Sequence, residues 1–456
     1  MDINTNIFRA YDIRGVAYED LTEEIVSKLG KSLGTSSLNR GETLLIVARD
    51  GRNSSPDMYE WLSRGIRSTG CNVLNIGIVP TPLLYFSTFK LSSSSGVMIT
   101  GSHNPSEYNG FKIVRDNKTI SGETIQEVKR SILENKFLTG KGSVSEKEIV
   151  EMYSNELRNS IDILRPVKLA IDCGNGAASI LAKAVYESLG CEVESIYSSL
   201  DGNFPNHHPD PSEPENLKDL VKVVLDKKLE IGLAFDGDAD RLGVISSKGE
   251  IIYPDMLMIL FSRDILAKQQ DCKIVFDVKC SKLLSDFISK EGGVPIMSKT
   301  GHSFIKNTIV KESALLGGEM SGHIFFNDKW PGFDDAIYAG ARMLEIISRQ
   351  SDKEDIFSTL PNLVSTPEIN VKTTDEDKFK IVEEFKNLAN FPDSTAIKID
   401  GIRIEFESGW GLLRASNTTP NLVLRFEAND KENLENIKNK FKEILSEIDS
   451  NLSKFR

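Results

Sequence analysis

Three apolar segments that each end in aspartate, at residues 44–50, 169–172 and 274–277, recur along this chain, and each is followed some tens of residues later by a polar loop dense in functional groups. A short apolar run closed by a carboxylate reads as a buried strand meeting a polar edge. The stretches between such runs, at 22–33, 56–68, 216–227 and 254–268, carry helical spacing. The alternation predicts one α/β unit used three times, each a layered mixed sheet covered by helices. After residue 364 the pattern changes to a helix over 376–389, several strands between 394 and 428, and a long amphipathic helix over 432–448. That change predicts a smaller C-terminal α+β unit. At 456 residues the chain is too long for one core. Polar stretches at 138–147, 247–250 and 360–367 mark the joints, so the expected domains are 1–146, 147–249, 250–363 and 364–456, set around a central cleft.

Four loops carry the chemistry. Thr100-Gly101-Ser102-His103-Asn104-Pro105 follows the apolar run 96–99 and holds one hydroxyl nucleophile in a tight polar turn; read singly, a Ser beside a His is an ordinary turn. Asp236-Gly237-Asp238-Ala239-Asp240-Arg241 lies between the apolar runs 231–235 and 242–245, which hold three carboxylates at alternate positions where they can converge on a hard divalent cation. A calcium-hand loop is excluded, because its sixth and twelfth positions are Arg241 and Ser247 where Gly and Glu are needed. Mg²⁺ fits better, since it takes one or two carboxylates and completes its shell with water and phosphate oxygens. In the third loop, Gly317-Gly318-Glu319-Met320-Ser321-Gly322-His323, glycines leave the backbone open while Glu319, Ser321 and His323 offer groups suited to sugar hydroxyls. The fourth, Arg414-Ala415-Ser416-Asn417-Thr418-Thr419-Pro420, has the guanidinium, hydroxyl, amide and backbone donors that enclose a phosphate.

These loops resemble the α-D-phosphohexomutases, and the resemblance runs nearly the length of the chain. It extends to Phe8-Arg9-Ala10-Tyr11-Asp12-Ile13-Arg14-Gly15, Asn109-Gly110-Phe111-Lys112, Asn206-His207-His208-Pro209-Asp210-Pro211, Lys279 within Asp277-Val278-Lys279-Cys280, and Lys299-Thr300-Gly301-His302-Ser303. Met320 is similar to the phosphomannomutase/phosphoglucomutase branch; the phosphoglucosamine branch has Gln there. The resemblance implies a phosphorylated Ser102 that donates its phosphoryl group to a hexose monophosphate, giving a 1,6-bisphosphate that turns over and returns the group from its other end. Asp236, Asp238 and Asp240, with an oxygen of phospho-Ser102, would hold one Mg²⁺, and glucose 1,6-bisphosphate would serve as activator and intermediate. Arg14, Lys112 and Arg241 would stabilise the transferring group, His103 would sit beside the nucleophile, and Lys112, His302 and His323 are the open choices for proton transfer. Tyr11, Lys279, Glu319 and Ser321 would contact the sugar phosphate, with Arg414, Ser416, Asn417 and Thr418 on the distal phosphate.

A net charge of −12 argues against nucleic acid or an anionic membrane as partner. Arg14, Lys112, Arg241, Lys279 and Arg414 fall in or beside the loops, which allows a cationic cleft for mannose and glucose phosphates inside an acidic protein. No apolar run approaches the roughly 18 residues that span a bilayer, and the polar N-terminal stretch is no signal peptide, so a cytoplasmic location is expected. Five cysteines with no CxxC pair read as reduced structural thiols. A serine hydrolase elbow is absent, because Asn104 stands where GxSxG needs Gly. A phosphatase would not need the grip on a second phosphate. A non-catalytic sugar-phosphate sensor would be expected to lose the nucleophile or the carboxylates that are all present. The remaining enzymatic rival, a phosphoglucosamine mutase, differs only in substrate.

Overall fold

The computed structural model of the chain describes residues 4–351, 355–417 and 419–455. The same four-strand pattern occurs in it three times. In the first unit Leu44–Arg49 is flanked in parallel by Asn72–Ile78 on one side and Gly96–Ile99 on the other, and Tyr108–Arg115 returns antiparallel to the latter. Lys168–Asp172, Glu192–Ile196, Ile231–Phe235 and Leu242–Ser246 repeat this order in the second unit. Lys273–Asp277, Val294–Ser298, Leu316–Gly318 and Ile324–Phe326 repeat it in the third. Each unit therefore steps outward from its first strand in one direction and then crosses to the other side. At such a switch point the loops leaving adjacent strands diverge and open a crevice beyond the strands' carboxyl ends. The serine, triple-aspartate and glutamate loops all leave the same strand of their unit, the third, and so occupy equivalent places.

The helices separating these strands include Glu23–Asn39, which starts at Thr22, whose hydroxyl accepts from the Ile25 amide, with Glu23 and Glu24 in its first turn. The stretch expected as a helix over 216–227 begins as a tight 3₁₀ turn, Pro214–Leu217, before the α-helix Lys218–Lys227. Within 138–147, Val144–Glu146 adds to the first sheet as a parallel edge strand beside Asn72–Ile78. Two glycines of the third loop, Gly317 and Gly318, lie in the strand Leu316–Gly318 instead of the loop. A Cβ on Gly317 would meet Ile309 at 2.6 Å and one on Gly318 would meet Met258 at 2.4 Å, so their smallness admits covering helices and not a ligand.

Burial explains how the units hold together. Ile46 and Met98 of the first, Leu169, Leu233 and Phe235 of the second, and Ile274, Phe276 and Leu316 of the third all belong to one continuous apolar cluster. The helix Ala336–Ser348 in its midst is buried at every position. The C-terminal sheet alternates by residue: Ile402, Ile404, Leu413, Leu424 and Phe426 join a separate core with the helices Asp377–Leu388 and Lys431–Ile448. Their neighbours Arg403, Trp410, Leu412 and Arg425 face the other way. There Trp410 and Leu412 form a small apolar cluster with Val278 and Met297 of the third unit, and beside it Arg403 and Arg425 donate to carbonyls of that unit. Three units are thus fused through a shared core, and the fourth is docked on them. Among the described residues no helix is long and apolar enough to cross a membrane.

Candidate active site

The three strand-ending aspartates are clamps. Asp50 accepts from the Gly101 amide at 3.2 Å, in the serine loop, and from the Ser55 hydroxyl at 2.6 Å. Asp277 accepts from the Met320 amide at 3.3 Å, in the glutamate loop, and from the Thr300 hydroxyl at 3.0 Å. Asp172 instead faces His207 Nε2 at 2.9 Å, in the loop that carries Asp210 toward Arg241. Both Asp172 and the His208 carbonyl favour the charged imidazole, so His207 is held above its ordinary pKa despite half-burial.

Where the first two units meet, the serine and aspartate loops touch. Ser102 Oγ lies 2.9 Å from Asp236 Oδ2 and 3.3 Å from His103 Nδ1, and the residue is almost wholly buried. Gly237 permits this approach, because a Cβ there would lie 2.4 Å from the Ser102 carbonyl oxygen. The loop around Asp236 is wound on its own carboxylate, whose Oδ1 accepts from the amides of Asp240 at 3.0 Å and Arg241 at 3.1 Å. Lys112 Nζ reaches Asp238 Oδ2 at 2.7 Å and also pairs with Asp240 Oδ2, and Thr81 donates its hydroxyl to Asp238. Burial and the like charges of Asp238 and Asp240 push the Asp236 carboxyl well above its usual range. Burial acts in the same sense on Asp238, but the Lys112 ammonium and the Thr81 hydroxyl win and hold it below.

Carboxylate oxygens of Asp236, Asp238 and Asp240 lie within 4.8 Å of one another. Lys112 engages one oxygen each of Asp238 and Asp240, and the other oxygens, Asp238 Oδ1 and Asp240 Oδ1, are buried without a hydrogen-bond partner among the described residues. Asp240 Oδ1 faces His323 Nδ1 at 3.5 Å. Buried carboxylate oxygens that make no hydrogen bond are costly unless a cation meets them, so this all-oxygen set fits a hard divalent ion.

Beside the carboxylates, Arg241 Nε donates to His323 Nε2 at 3.1 Å, which leaves the hydrogen on Nδ1, facing Asp334 Oδ2 at 3.2 Å. Lys306 donates to Asp334 at 2.8 Å, and the rings of His302 and His323 stack at 5.5 Å. Burial, together with Lys306, holds His302 well below the ordinary imidazole range; burial and the cations Arg241, Arg14 and Lys112 do the same to His103. Arg14 bonds Asn104 Oδ1 at 2.8 Å and Asp12 at 2.7 Å, on the rim of the serine loop.

A second group gathers at the joint with the C-terminal unit. Tyr11 meets His302 edge to face at 4.9 Å. Glu319 accepts from the Gly301 amide, and burial raises its carboxyl to about 7. Ser321 is half-buried on the turn beside it. Arg414 Nε and the Thr300 amide converge on Asp400 Oδ2 at 3.0 and 3.1 Å, and Asn417 donates to the Thr300 carbonyl at 3.2 Å. Arg414 Nη2 is buried without a hydrogen-bond partner among the described residues. Ser416 accepts from the Thr419 amide at 3.2 Å. Lys279 pairs with Glu368 of the C-terminal unit. Thr418 lies outside the described residues.

Sequence reasoning passed over Thr81, Asp334, Asp400 and Glu368, each of which partners a residue that it did single out, and Lys306, which pairs with Asp334. The one local signal was the Asp334-Asp335 pair at a helix start, where Asp335 caps Ala336–Ser348 and leaves Asp334 facing the histidines.

A serine hydroxyl against a carboxylate loop, flanked by cations and repeated switch-point loops, is an arrangement suited to phosphoryl transfer. Family models of phosphoglucomutase/phosphomannomutase match along the chain: α/β/α domain I over residues 5–139, domain II over 150–249, domain III over 253–363 and the C-terminal domain over 368–444. The chain belongs to the phosphoglucomutase/phosphomannomutase family. It is 49% identical over 448 residues to the phosphomannomutase/phosphoglucomutase of Pseudomonas aeruginosa PAO1, covering 98% of this chain and 97% of that one. It is 46% identical over 447 residues to a phosphoglucomutase of Neisseria gonorrhoeae, with 97% of each covered. A crystal structure of a phosphoglucomutase/phosphomannomutase family protein from Burkholderia thailandensis superposes with a TM-score of 0.94 at 42% identity, over 98% of each chain.

Proposed function

We propose that this protein is a phosphomannomutase/phosphoglucomutase, which interconverts hexose 1-phosphates and 6-phosphates through phospho-Ser102 and a hexose 1,6-bisphosphate. The observation that carries the reading is the buried contact of Ser102 Oγ with the triple-aspartate loop, ringed by Lys112, Arg241 and Arg14. Phosphoryl transfer spreads charge over equatorial oxygens and needs positioning and electrostatic stabilisation more than covalent help. In this reading Asp236, Asp238 and Asp240 would hold one Mg²⁺ beside phospho-Ser102, where it would supply positive charge against the phosphoryl oxygens. Lys112 and Arg241 flank the transferring group and Arg14 guards its rim. The engagement of Lys112 by two carboxylates favours His302 and His323 as proton carriers. Glu319 and Ser321 hold ring hydroxyls, Tyr11 and Lys279 line the sugar side, and Arg414, Ser416, Asn417 and Thr418 grip the far phosphate. The units divide at 1–146, 147–249, 250–363 and 364–456. The enzyme works on small hexose phosphates in the cytoplasm, primed by glucose 1,6-bisphosphate, and its five cysteines, all buried and unpaired in the fold, stay reduced.

The test is isomerisation of mannose 1-phosphate, glucose 1-phosphate and glucosamine 1-phosphate with Mg²⁺ and catalytic glucose 1,6-bisphosphate, with free phosphate monitored. The first two should convert without phosphate release, and Ser102→Ala should lose turnover while still binding glucose 1-phosphate by calorimetry. Unchanged turnover in that variant would sink the phosphoserine mechanism; preference for the glucosamine substrate would move the enzyme to the neighbouring branch.

A further inference from the structure

Arg52 lies outside the four loops, yet its side chain is fully buried beneath the serine loop. Its guanidinium spans that loop from below. Nη2 donates to the carbonyls of Ser102 at 2.8 Å and Asn104 at 2.6 Å, and Nη1 donates to the carbonyls of Tyr108 at 3.0 Å and Pro105 at 2.5 Å. Nε faces Asp50 Oδ2 at 3.2 Å, and the ring of Phe204, from the second unit, lies 5.1 Å from the guanidinium carbon. Gly101 accommodates the group, since a Cβ there would sit 2.5 Å from Arg52 Cζ.

Three carbonyls of the loop and the first of the strand that follows it, all on one side chain, are more than solubility or an ion pair requires. The loop needs it because Ser102 has φ of +50°, the left-handed region, which is strained for a residue bearing a Cβ. That conformation persists only where surroundings over-determine it. The bond from Arg52 falls on the carbonyl of Ser102 itself, the oxygen against which Gly237 of the aspartate loop packs. We propose that Arg52 is a positioning residue for the transfer: it holds Ser102 in the left-handed turn that aims Oγ at Asp236, with Phe204 keeping the guanidinium in place. The inference rests on the phosphoserine reading above. It assigns Arg52 no contact with substrate, so its removal slows the transfer without weakening hexose phosphate binding.

Wild type, Ser102→Ala, Arg52→Ala and Arg52→Lys are compared in the mutase assay with glucose 1-phosphate. Rates are normalised to the label each protein accepts from phosphoryl-labelled glucose 1,6-bisphosphate and to its folded fraction by circular dichroism. Misplacing a reacting group by about 1 Å costs on the order of 100-fold, so kcat per labelled site should fall by about that factor in Arg52→Ala with KM little changed. Arg52→Lys, whose compact ammonium cannot span four carbonyls, should stay impaired. Added guanidinium chloride, at concentrations below those that unfold the protein, should raise kcat of Arg52→Ala. If Arg52→Ala does not fold, the kcat and KM of Arg52→Lys decide. Normal kcat per labelled site in the folded variant, or a loss that tracks only the folded fraction, overturns the inference while leaving the phosphoserine reading intact. An inactive wild type overturns that reading and the inference with it.

Discussion

Glu319 is the residue whose charge most depends on the fold. In water its carboxyl would ionise near 4.5, but burial, helped by the nearby Asp277 charge, raises it to about 7 against the opposing pull of His323 and the Gly301 amide. The folded state then binds a proton that the unfolded chain releases. The contribution to stability is complete below about pH 4.5 and is lost as pH rises through about 7. Two outcomes follow for Glu319→Gln, which keeps an acceptor for the Gly301 amide. Urea midpoints measured from pH 4.5 to 8 should show less decline than wild type. KM for glucose 1-phosphate, which in wild type should rise as pH falls below about 7 and the anionic acceptor is lost, should become flat. A wild-type KM independent of pH across that window would remove Glu319 from the hydroxyl site. Ser102 stood out because its loop is one of four polar loops whose ordered match to a family pattern is written in the chain itself. Arg52, Thr81 and Asp334 did not, because each matters only through a partner that the chain reaches by folding back: 50 and 157 residues away for the first two, and His323 of the glutamate loop for Asp334.

Loops that must touch depend on what their strands allow. The serine and aspartate loops meet because each leaves the third strand of its unit and because Gly237 presents no side chain to the Ser102 carbonyl. Gly237→Ala should drive them apart, since the obstacle is backbone, which cannot swing away as a side-chain tip can. Turnover should drop about 100-fold for a shift near 1 Å, with a thermal midpoint lowered by only a few degrees; near-normal turnover would mean that the loops tolerate the gap. The order of strands and helices was legible, because aspartate-ended apolar runs and amphipathic stretches are local patterns. Gly317 and Gly318 were not, because a glycine that admits a helix and one that admits a ligand look alike until the helix is in place. The start of the 216–227 helix was misread for a similar reason: the proline turn before it closes as a 3₁₀ coil.

Across the molecule, the fused core of three units and the polar docking of the fourth set what can move. Arg403 donates to the carbonyls of Val278 at 2.8 Å and Cys280 at 2.6 Å while its guanidinium lies 3.8 Å from the Trp410 ring centre. Removing it strands two buried carbonyls, at about 1–3 kcal/mol each. Arg403→Ala should therefore loosen the C-terminal unit first. Hydrogen exchange should quicken in residues 402–428 before the other three units, and KM should rise several-fold because Arg414 and Asn417 come from that unit. Uniform exchange throughout the chain would mean that the four units unfold as one. Periodicity and motif were enough to determine a thrice-repeated α/β unit and a C-terminal α+β unit, and to mark the loops that the fold brings into the candidate site, since each is written in neighbours along the chain. The tertiary structure alone decided which strand end each loop leaves, that Arg52 grips the Ser102 carbonyl, and that the C-terminal sheet turns its arginine face to the third unit. Those outcomes depend on desolvation and hydrogen bonds between segments that become neighbours only when the apolar faces have closed on one another.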